Sequence, residues 1–362
     1  MQSLDTHINK IGVLNQTAMS LASIHHTRLA KPPGSMGKLE DIAIQVSGIT
    51  GKVNSQVERR RIIVLCADNG VTEEGVSLAS KSITAAQAIN MAKGGAGISA
   101  LAQYFGDEVQ VVDIGIANEY DCPAIINRKI MRGTNNFTNK PAMSRENAVK
   151  AILTGIDLAK QAKDDKIDII GVGEMGIGNS TSASAVLAVL TGMPPGLVLG
   201  DDHEISDAAF SRKKWAIETA LGRYHLNPND PIDILAKVGG LDLAAMCGVY
   251  LGAAEYRCPV VIDGFASGVA ALCAARLCPT AVKYMFSSHA DKKCGYQLVA
   301  QQLNLSPCLH LDMWLGEGSG CPLAFEIISA ACAVVTSMAT FEEAAIDDSY
   351  LDEVREDVTF QL

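Results

Sequence analysis

Several segments of this chain repeat one plan, in which a short run of β-branched or aliphatic residues leads into a Gly-rich polar loop and then into Ala-rich sequence with helical spacing. They are RIIVLCADNG (Arg61 to Gly70), VQVVDIGI (Val109 to Ile116), IDIIGVGEMGIGNSTSASAVLAVL (Ile167 to Leu190), PVVIDGFASGVAALCAARL (Pro259 to Leu277), AVKYMFSSHADKKCGYQLVAQQL (Ala281 to Leu303) and HLDMWLGEGSGCPLAFE (His310 to Glu326). A strand that is apolar at every position must be covered on both faces, and helices between such strands return the chain for parallel pairing. The expected fold is therefore α/β, a Rossmann-like parallel β-sheet with helices on both faces. Ligands of such sheets bind beyond the carboxyl ends of the strands. That is where this sequence places Asp68, Asn69, Glu174, Asp263, Ser288, His289 and Glu317. Residues 1–30, before the Pro32-Pro33-Gly34 turn, and 327–362 fall outside the repeats and are expected to pair as a smaller helical domain beside a large α/β domain of residues 31–326. Ser144 followed by Asn147 predicts a helix start after the loop that begins at Gly133.

With 362 residues, 48% of them hydrophobic and 19% charged, the chain can bury one large core or two unequal ones. Forty acidic residues against thirty basic ones, a net charge of −10, leave no basic footprint for nucleic acid or anionic lipid. The partner is expected to be a small molecule, with any phosphate held locally. The ten cysteines sit at irregular spacings inside apolar runs without a C-x-x-C, which suits reduced thiols in a cytoplasm. The N-terminal segment carries Asp5, His7 and Lys10 among its apolar residues, unlike a signal peptide, and Asp263 or Gly and Ser break the longest apolar stretches too early to span a bilayer. The histidines show no ligand spacing with one another or with cysteine, so no metal site is expected.

GVGEMG (Gly171 to Gly176) has the form G-x-G-x-x-G after a strand and before a helix, the dinucleotide fingerprint, and by itself suggests a nicotinamide-dependent oxidoreductase. Glu174, however, would repel the pyrophosphate that such a loop must cradle. The acid expected about twenty residues later is represented only by Asp201 and Asp202, after a Pro-Pro-Gly interruption. In the alternative reading, Gly176 and Gly178 let backbone approach a ligand, and Asn179, Ser180 or Thr181 caps the next helix while its free N–H groups face one phosphate. DGFASG (Asp263 to Gly268) has the same form, with Ser267 near a helix start. Each loop alone is most simply a tight strand-to-helix turn; two beside a third acidic loop point to a phosphorylated substrate. LVLGDD (Leu197 to Asp202) has the acidic pair with which common phosphoribosyltransferases hold ribose, but no Thr-Gly phosphate loop follows it. Lys213, in a basic cluster that reads as a solvated helix face, is long enough to reach a phosphate. His289 reads equally as structural or ligand-facing.

In LGEGSG (Leu315 to Gly320) a carboxylate stands between two glycines. A surface glutamate needs no such neighbours, whereas one aimed into a crowded cleft does, because the backbone must turn sharply and leave room for substrate. Glu317 is read as a general base, the alternative being a helix-capping acid ahead of Pro322.

Taken in order, KPPGSMGKLE (Lys31 to Glu40), CADNGVTEEGVS (Cys66 to Ser77), GVGEMGIGNSTSA (Gly171 to Ala183), KVGGLDLAAMCG (Lys237 to Gly248), DGFASG and LGEGSG resemble the nicotinate-nucleotide:dimethylbenzimidazole phosphoribosyltransferase family over nearly the whole chain. That family makes the lower-ligand nucleotide of cobamides. The resemblance implies transfer of 5-phosphoribose from nicotinate mononucleotide to an aromatic base, without metal or other cofactor. It makes Glu317 the base that deprotonates the acceptor and puts Glu174 near the ribose and its developing positive charge. It assigns Gly176, Asn179, Ser180, Gly264 and Lys213 to the nucleotide, and Met175, Ala79, Ser80 and Gln87 to the acceptor pocket. It also implies a dimer, of identical chains or with a paralogous subunit. The chain departs from the family pattern at Asn69, where relatives commonly have His, and at Ser80-Lys81, where many have Pro-Lys or Pro-Gln. The acceptor is accordingly dimethylbenzimidazole or a phenol such as p-cresol. An oxidoreductase and a non-catalytic nucleotide-binding partner subunit are the competing readings.

Overall fold

The computed structural model describes residues 3–200 and 206–351. Asp201 and Asp202 of the acidic pair, and residues 352–362 of the expected small domain, lie outside the described residues. One sheet contains β1 (Arg60–Ala67), β2 (Glu108–Gly115), β3 (Ile126–Asn127), β4 (Ile169–Met175), β5 (Val260–Ile262) and β6 (Met285–Ser287). Its order is β3-β2-β1-β4-β5-β6, and every neighbouring pair is parallel. The fold is the expected Rossmann-like α/β arrangement. Strand order reverses between β1 and β4, where such sheets open a crevice at their carboxyl ends. The unbroken apolar runs do what they require: β1 is buried from Arg61 onward, and β4 is buried at every position except Glu174.

Helices Arg145–Asp164, Leu241–Glu255 and Phe265–Leu277 form the layer on one face. Helices Ser82–Ala92, Gly97–Phe105 and Cys321–Ser337 cover the other, and Lys38–Thr50 packs behind the last. Small residues set how closely these layers approach. A Cβ on Gly155 would lie 2.0 Å from the carbonyl oxygen of Ala245, and one on Gly248 would lie 1.9 Å from that of Ile152, so two helix backbones touch directly.

The Lys31 to Glu40 motif folds into a turn closed by a buried ion pair, with Lys31 Nζ 2.7 Å from Glu40 Oε1 and the Met36 amide donating to the same oxygen at 3.0 Å. His26 is fully buried above it, and burial holds its pKa down. Helix Gln16–Arg28 packs on Lys38–Thr50 and on the Cys321 helix, and Leu29 bridges to Thr340. The Cys321 helix is continuous through position 327.

Two local expectations hold and two change. Ser144 caps its helix by accepting from the Asn147 amide at 3.1 Å, and the glycine loops do separate strands from helices. No strand forms at His310 to Leu315; a single parallel bridge joins Leu309 to His289 instead, and Asp312, Gly316, Glu317 and Gly318 all have positive φ, which breaks an extended run. The helix after β4 takes Gly178, at φ 91°, as its N-cap, with no side chain of Asn179, Ser180 or Thr181 capping it. The two-residue β3 is too short to carry a periodicity signal, so nothing in the sequence predicts it.

Gly248→Ala should destabilise the protein by about 1–3 kcal/mol or more, because the added methyl has only backbone to displace; urea unfolding measures this, and an unchanged midpoint would contradict the packing. Lys31→Met should cost about 3–5 kcal/mol by leaving Glu40 buried without its cation, and Lys31→Met combined with Glu40→Gln should recover much of the loss in the same assay.

Candidate active site

Gly316, Glu317 and Gly318 have φ of 77°, 64° and 85°, so three successive residues take left-handed backbone. Glycine adopts this freely, but at glutamate it costs about 1–2 kcal/mol, and the surroundings must hold it. Behind the loop stands β4: a Cβ on Gly173 would lie 2.5 Å from the Gly318 nitrogen and 2.6 Å from the Glu317 carbonyl carbon. In front stands Asp263, just past the end of β5, whose Oδ2 accepts from the Gly318 amide at 2.9 Å and Oδ1 from the Gly320 amide at 2.7 Å. The Glu317 side chain is 5% exposed. Gln87 Nε2 donates to its Oε1 at 2.7 Å, while the buried Oε2 has no hydrogen-bond partner among the described residues. The carboxylate does not cap the Cys321 helix; Gly320 occupies that N-cap position.

This loop forms one wall of a cleft beyond the carboxyl ends of β4 and β5. Seven of the residues singled out from sequence line it together: Glu174, Met175, Gly176, Asn179, Ser180, Gly264 and Glu317. Gln87 reaches the cleft through Glu317, and Lys213 Nζ lies 3.4 Å from Ser180 Oγ. Ala79 and Ser80 occupy the turn ahead of helix Ser82–Ala92, outside the cleft lining. The lining also includes Asp291, Lys293, Trp314 and Leu315, which motif reading missed. Asp291 and Lys293 were findable by the rule that ligands bind beyond strand ends, since they follow the carboxyl end of β6.

The dinucleotide-like glycines have a packing role. Gly171 and Gly173 lie inside β4 rather than in a turn, and a Cβ on Gly171 would meet Cys321 Cβ at 2.6 Å. Gly176 approaches the Ala67 carbonyl, where a Cβ would come to 2.1 Å. Asn179 points back to the strand, with Nδ2 donating to Glu174 Oε2. Ser267, expected near a helix start, lies in the first turn of helix Phe265–Leu277, where it is buried and donates to the Val172 carbonyl at 2.8 Å, tying that helix to β4. Asn69 is likewise a buried tie: it donates to Asp242 Oδ2 at 3.3 Å and accepts from Ser182 Oγ at 2.8 Å.

Two carboxyl groups line the cleft, Glu174 and Glu317, and two lie buried behind its walls, Asp242 and Asp263; burial is the leading influence on each. Glu174 is pushed up to about 8 by burial and then by the charges of Asp242 and Asp263, against the pull of Lys293. Burial raises Asp263 to about 7, opposed by the two amides it accepts from. Asp242 rises to about 6 for the same reason, opposed by the Leu243 amide. Burial also raises Glu317, opposed first by the Gln87 hydrogen bond and then by the Ile98 amide. Such a site stabilises added positive charge and discourages further negative charge near Glu174. Among the described residues, no three His, Cys, Asp or Glu side chains are grouped so as to hold a metal ion.

A family model described as Phosphoribosyltransferase matches residues 11–346. A nicotinate-nucleotide–dimethylbenzimidazole phosphoribosyltransferase of Clostridium perfringens is 48% identical over 329 residues, 91% of this chain and 91% of its own. One of the same name from Chloroflexus aggregans is 45% identical over 349 residues, 96% of this chain and 99% of its own. The crystal structure of nicotinate-nucleotide-dimethylbenzimidazole phosphoribosyltransferase from Thermus thermophilus superposes with a TM-score of 0.87 at 35% identity, covering 93% of this chain and all of that one. With sequence and fold in agreement, this chain belongs to the nicotinate-nucleotide–dimethylbenzimidazole phosphoribosyltransferase family.

Proposed function

We propose that this protein moves 5-phosphoribose from nicotinate mononucleotide to an aromatic lower-ligand base, giving an α-ribosyl 5′-phosphate and nicotinate for cobamide assembly. The carrying observation is the buried Glu317 carboxylate, with one oxygen fixed by Gln87 and the other unpartnered among the described residues, in the same cleft as the glycine loops of β4 and β5.

The chemistry needs little more than one positioned base. The C1′–N bond of the donor breaks with its electron pair returning to a pyridinium nitrogen, so the ring leaves neutral and requires no acid. The acceptor's azole N–H or phenol O–H gives its proton to Glu317 as the new C1′–N or C1′–O bond forms. Attack from the face opposite the leaving ring inverts C1′ and yields the α anomer. Glu174, beside the ribose in this reading, offsets positive charge spreading onto the sugar, and the cationic donor ring lowers its pKa from the value of about 8 set by burial and its acidic neighbours. Gly176, Asn179, Ser180, Gly264 and Lys213 hold the nucleotide, with backbone amides at the start of helix Asn179–Thr191 and the Lys213 ammonium directed to phosphate, while at the other helix start the Phe265 amide donates to Asp291 Oδ2 at 2.7 Å. Lys293 adds a second cation on the cleft wall.

Met175 and Gln87 border the acceptor in this reading, with Ala79 and Ser80 on the adjoining turn. The apolar Met175 on the cleft wall suits a phenolic ring as well as dimethylbenzimidazole. We further propose a cytoplasmic protein, supported by the free state of all ten cysteines, that works as a dimer of identical chains or with a paralogous subunit. The described parts of the terminal segments, residues 3–30 and 327–351, are proposed to form the small helical domain.

Incubation with nicotinate mononucleotide and a panel of benzimidazoles and phenols, followed by mass spectrometry, should reveal an α-ribosylated 5′-phosphate and free nicotinate. Absence of product with every acceptor would reject the activity, and saturable donor binding without turnover would mark a non-catalytic partner subunit. Glu317→Gln should slow kcat by about a hundredfold or more, within the range of general-base help; a loss below about tenfold would remove Glu317 from the proton transfer. The sign of the pH dependence follows from its raised pKa. The base acts when ionised, so kcat, read on the complex in which the cationic donor ring has already lowered the Glu174 pKa, should fall as pH drops through the raised Glu317 value. The acid limb should stand above the ordinary glutamate value of about 4.3 and disappear in Glu317→Gln.

A further inference from the structure

Asp263 is 1% exposed and does not line the cleft, so it has no route to a substrate. Its two carboxylate oxygens are nevertheless both committed to one loop, accepting from the amides of Gly318 and Gly320 on either side of Ser319. Asp263 is itself anchored to the sheet. It directly follows β5, its carbonyl accepts from Ser288 Oγ at 2.7 Å, and its amide donates to Ser267 Oγ at 3.3 Å. On the opposite side of the loop, the bare Cα of Gly173 lets the backbone of Glu317 and Gly318 sit against β4. The loop is thus pinned between a carboxylate and a strand.

We infer that Asp263 is a positioning residue for Glu317, gripping the amides of Gly318 and Gly320 and so holding the left-handed backbone from which the base reaches into the cleft. This rests on the reading of Glu317 as the general base. An aspartate suits the task because both acceptors are needed at once. Asparagine would turn an N–H toward one of the two amides, donor against donor, and release that end of the loop. A methyl on Gly173 would press on the loop from behind. Either change should tilt the Glu317 carboxylate without removing any group that binds the donor.

The test is a double-mutant cycle on kcat, with donor affinity measured separately by calorimetry with nicotinate mononucleotide, using whichever of dimethylbenzimidazole and p-cresol the wild type turns over. Asp263→Asn should lower kcat by about tenfold or more while donor Kd stays within about twofold, and in the Glu317→Gln background it should add no more than about twofold. Gly173→Ala should behave in the same way from the other side of the loop, and it carries the test if Asp263→Asn does not fold. Losses that multiply with Glu317→Gln, or a donor Kd that weakens in step with kcat, would overturn the inference while leaving Glu317 as the base. A Glu317→Gln variant with nearly full activity would instead overturn the reading on which it rests.

Discussion

Gly171 and Gly173 lie on one face of β4, and the volume their absent side chains leave is filled by Cys321 and by the backbone of Glu317 and Gly318. The Cys321 helix can therefore come down onto the centre of the sheet, with the loop before it lying almost in contact with the strand. Any side chain at 173 would hold that loop away, and the Glu317 carboxylate would move with it. The arrangement reuses a glycine spacing best known from dinucleotide cradles for a different purpose, close approach of backbone to backbone. Glu174, between Gly173 and Met175, emerges on the alternate side of the pleat, which is how one strand can seat the loop and also contribute a carboxylate to the cleft.

Placing so many acids together is costly unless each is matched. Asp263 is matched by two amides, Asp242 by Asn69 and the Leu243 amide, and Glu174 by Asn179. Glu317 is matched on one oxygen only. The imbalance falls on the group proposed to accept a proton, and a buried carboxylate with a free oxygen gains most by bonding an incoming N–H or O–H. The crowding of negative charge has a complementary use. A donor whose ring is cationic enters a site where burial and like charges have raised the carboxyl pKa values, and its charge offsets the repulsion among them.

Much of this was legible in the sequence. Continuous apolar runs ahead of glycine loops required strands covered on both faces, and parallel order followed from the helices between them. The rule that ligands gather at the carboxyl ends of such strands singled out Glu174 and Asp263; the glycines around Glu317 implied a backbone that only a tight loop needs, although the strand expected ahead of that loop does not form. These features are local: they depend on the period of a strand, the conformational freedom of glycine and the cost of an unpaired charge, all of which can be read from neighbours along the chain.

What only the tertiary structure decided were the partners of those residues. The spacing of GVGEMG could not show that its first two glycines sit inside a strand, because glycine removes a side chain equally for a phosphate and for a neighbouring backbone. The apolar stretch at His310 to Leu315 has the composition of a strand, yet the positive φ angles that follow and the absence of a paired neighbour among the described residues leave it irregular. Asp263 is separated from Gly318 by 55 positions, and nothing along the chain reveals that its two oxygens close on that loop. Hydrogen bonds of this kind are set by where the sheet delivers its strand ends. Residue type and spacing named the groups capable of chemistry, and packing against β4 and β5 chose which of them meet.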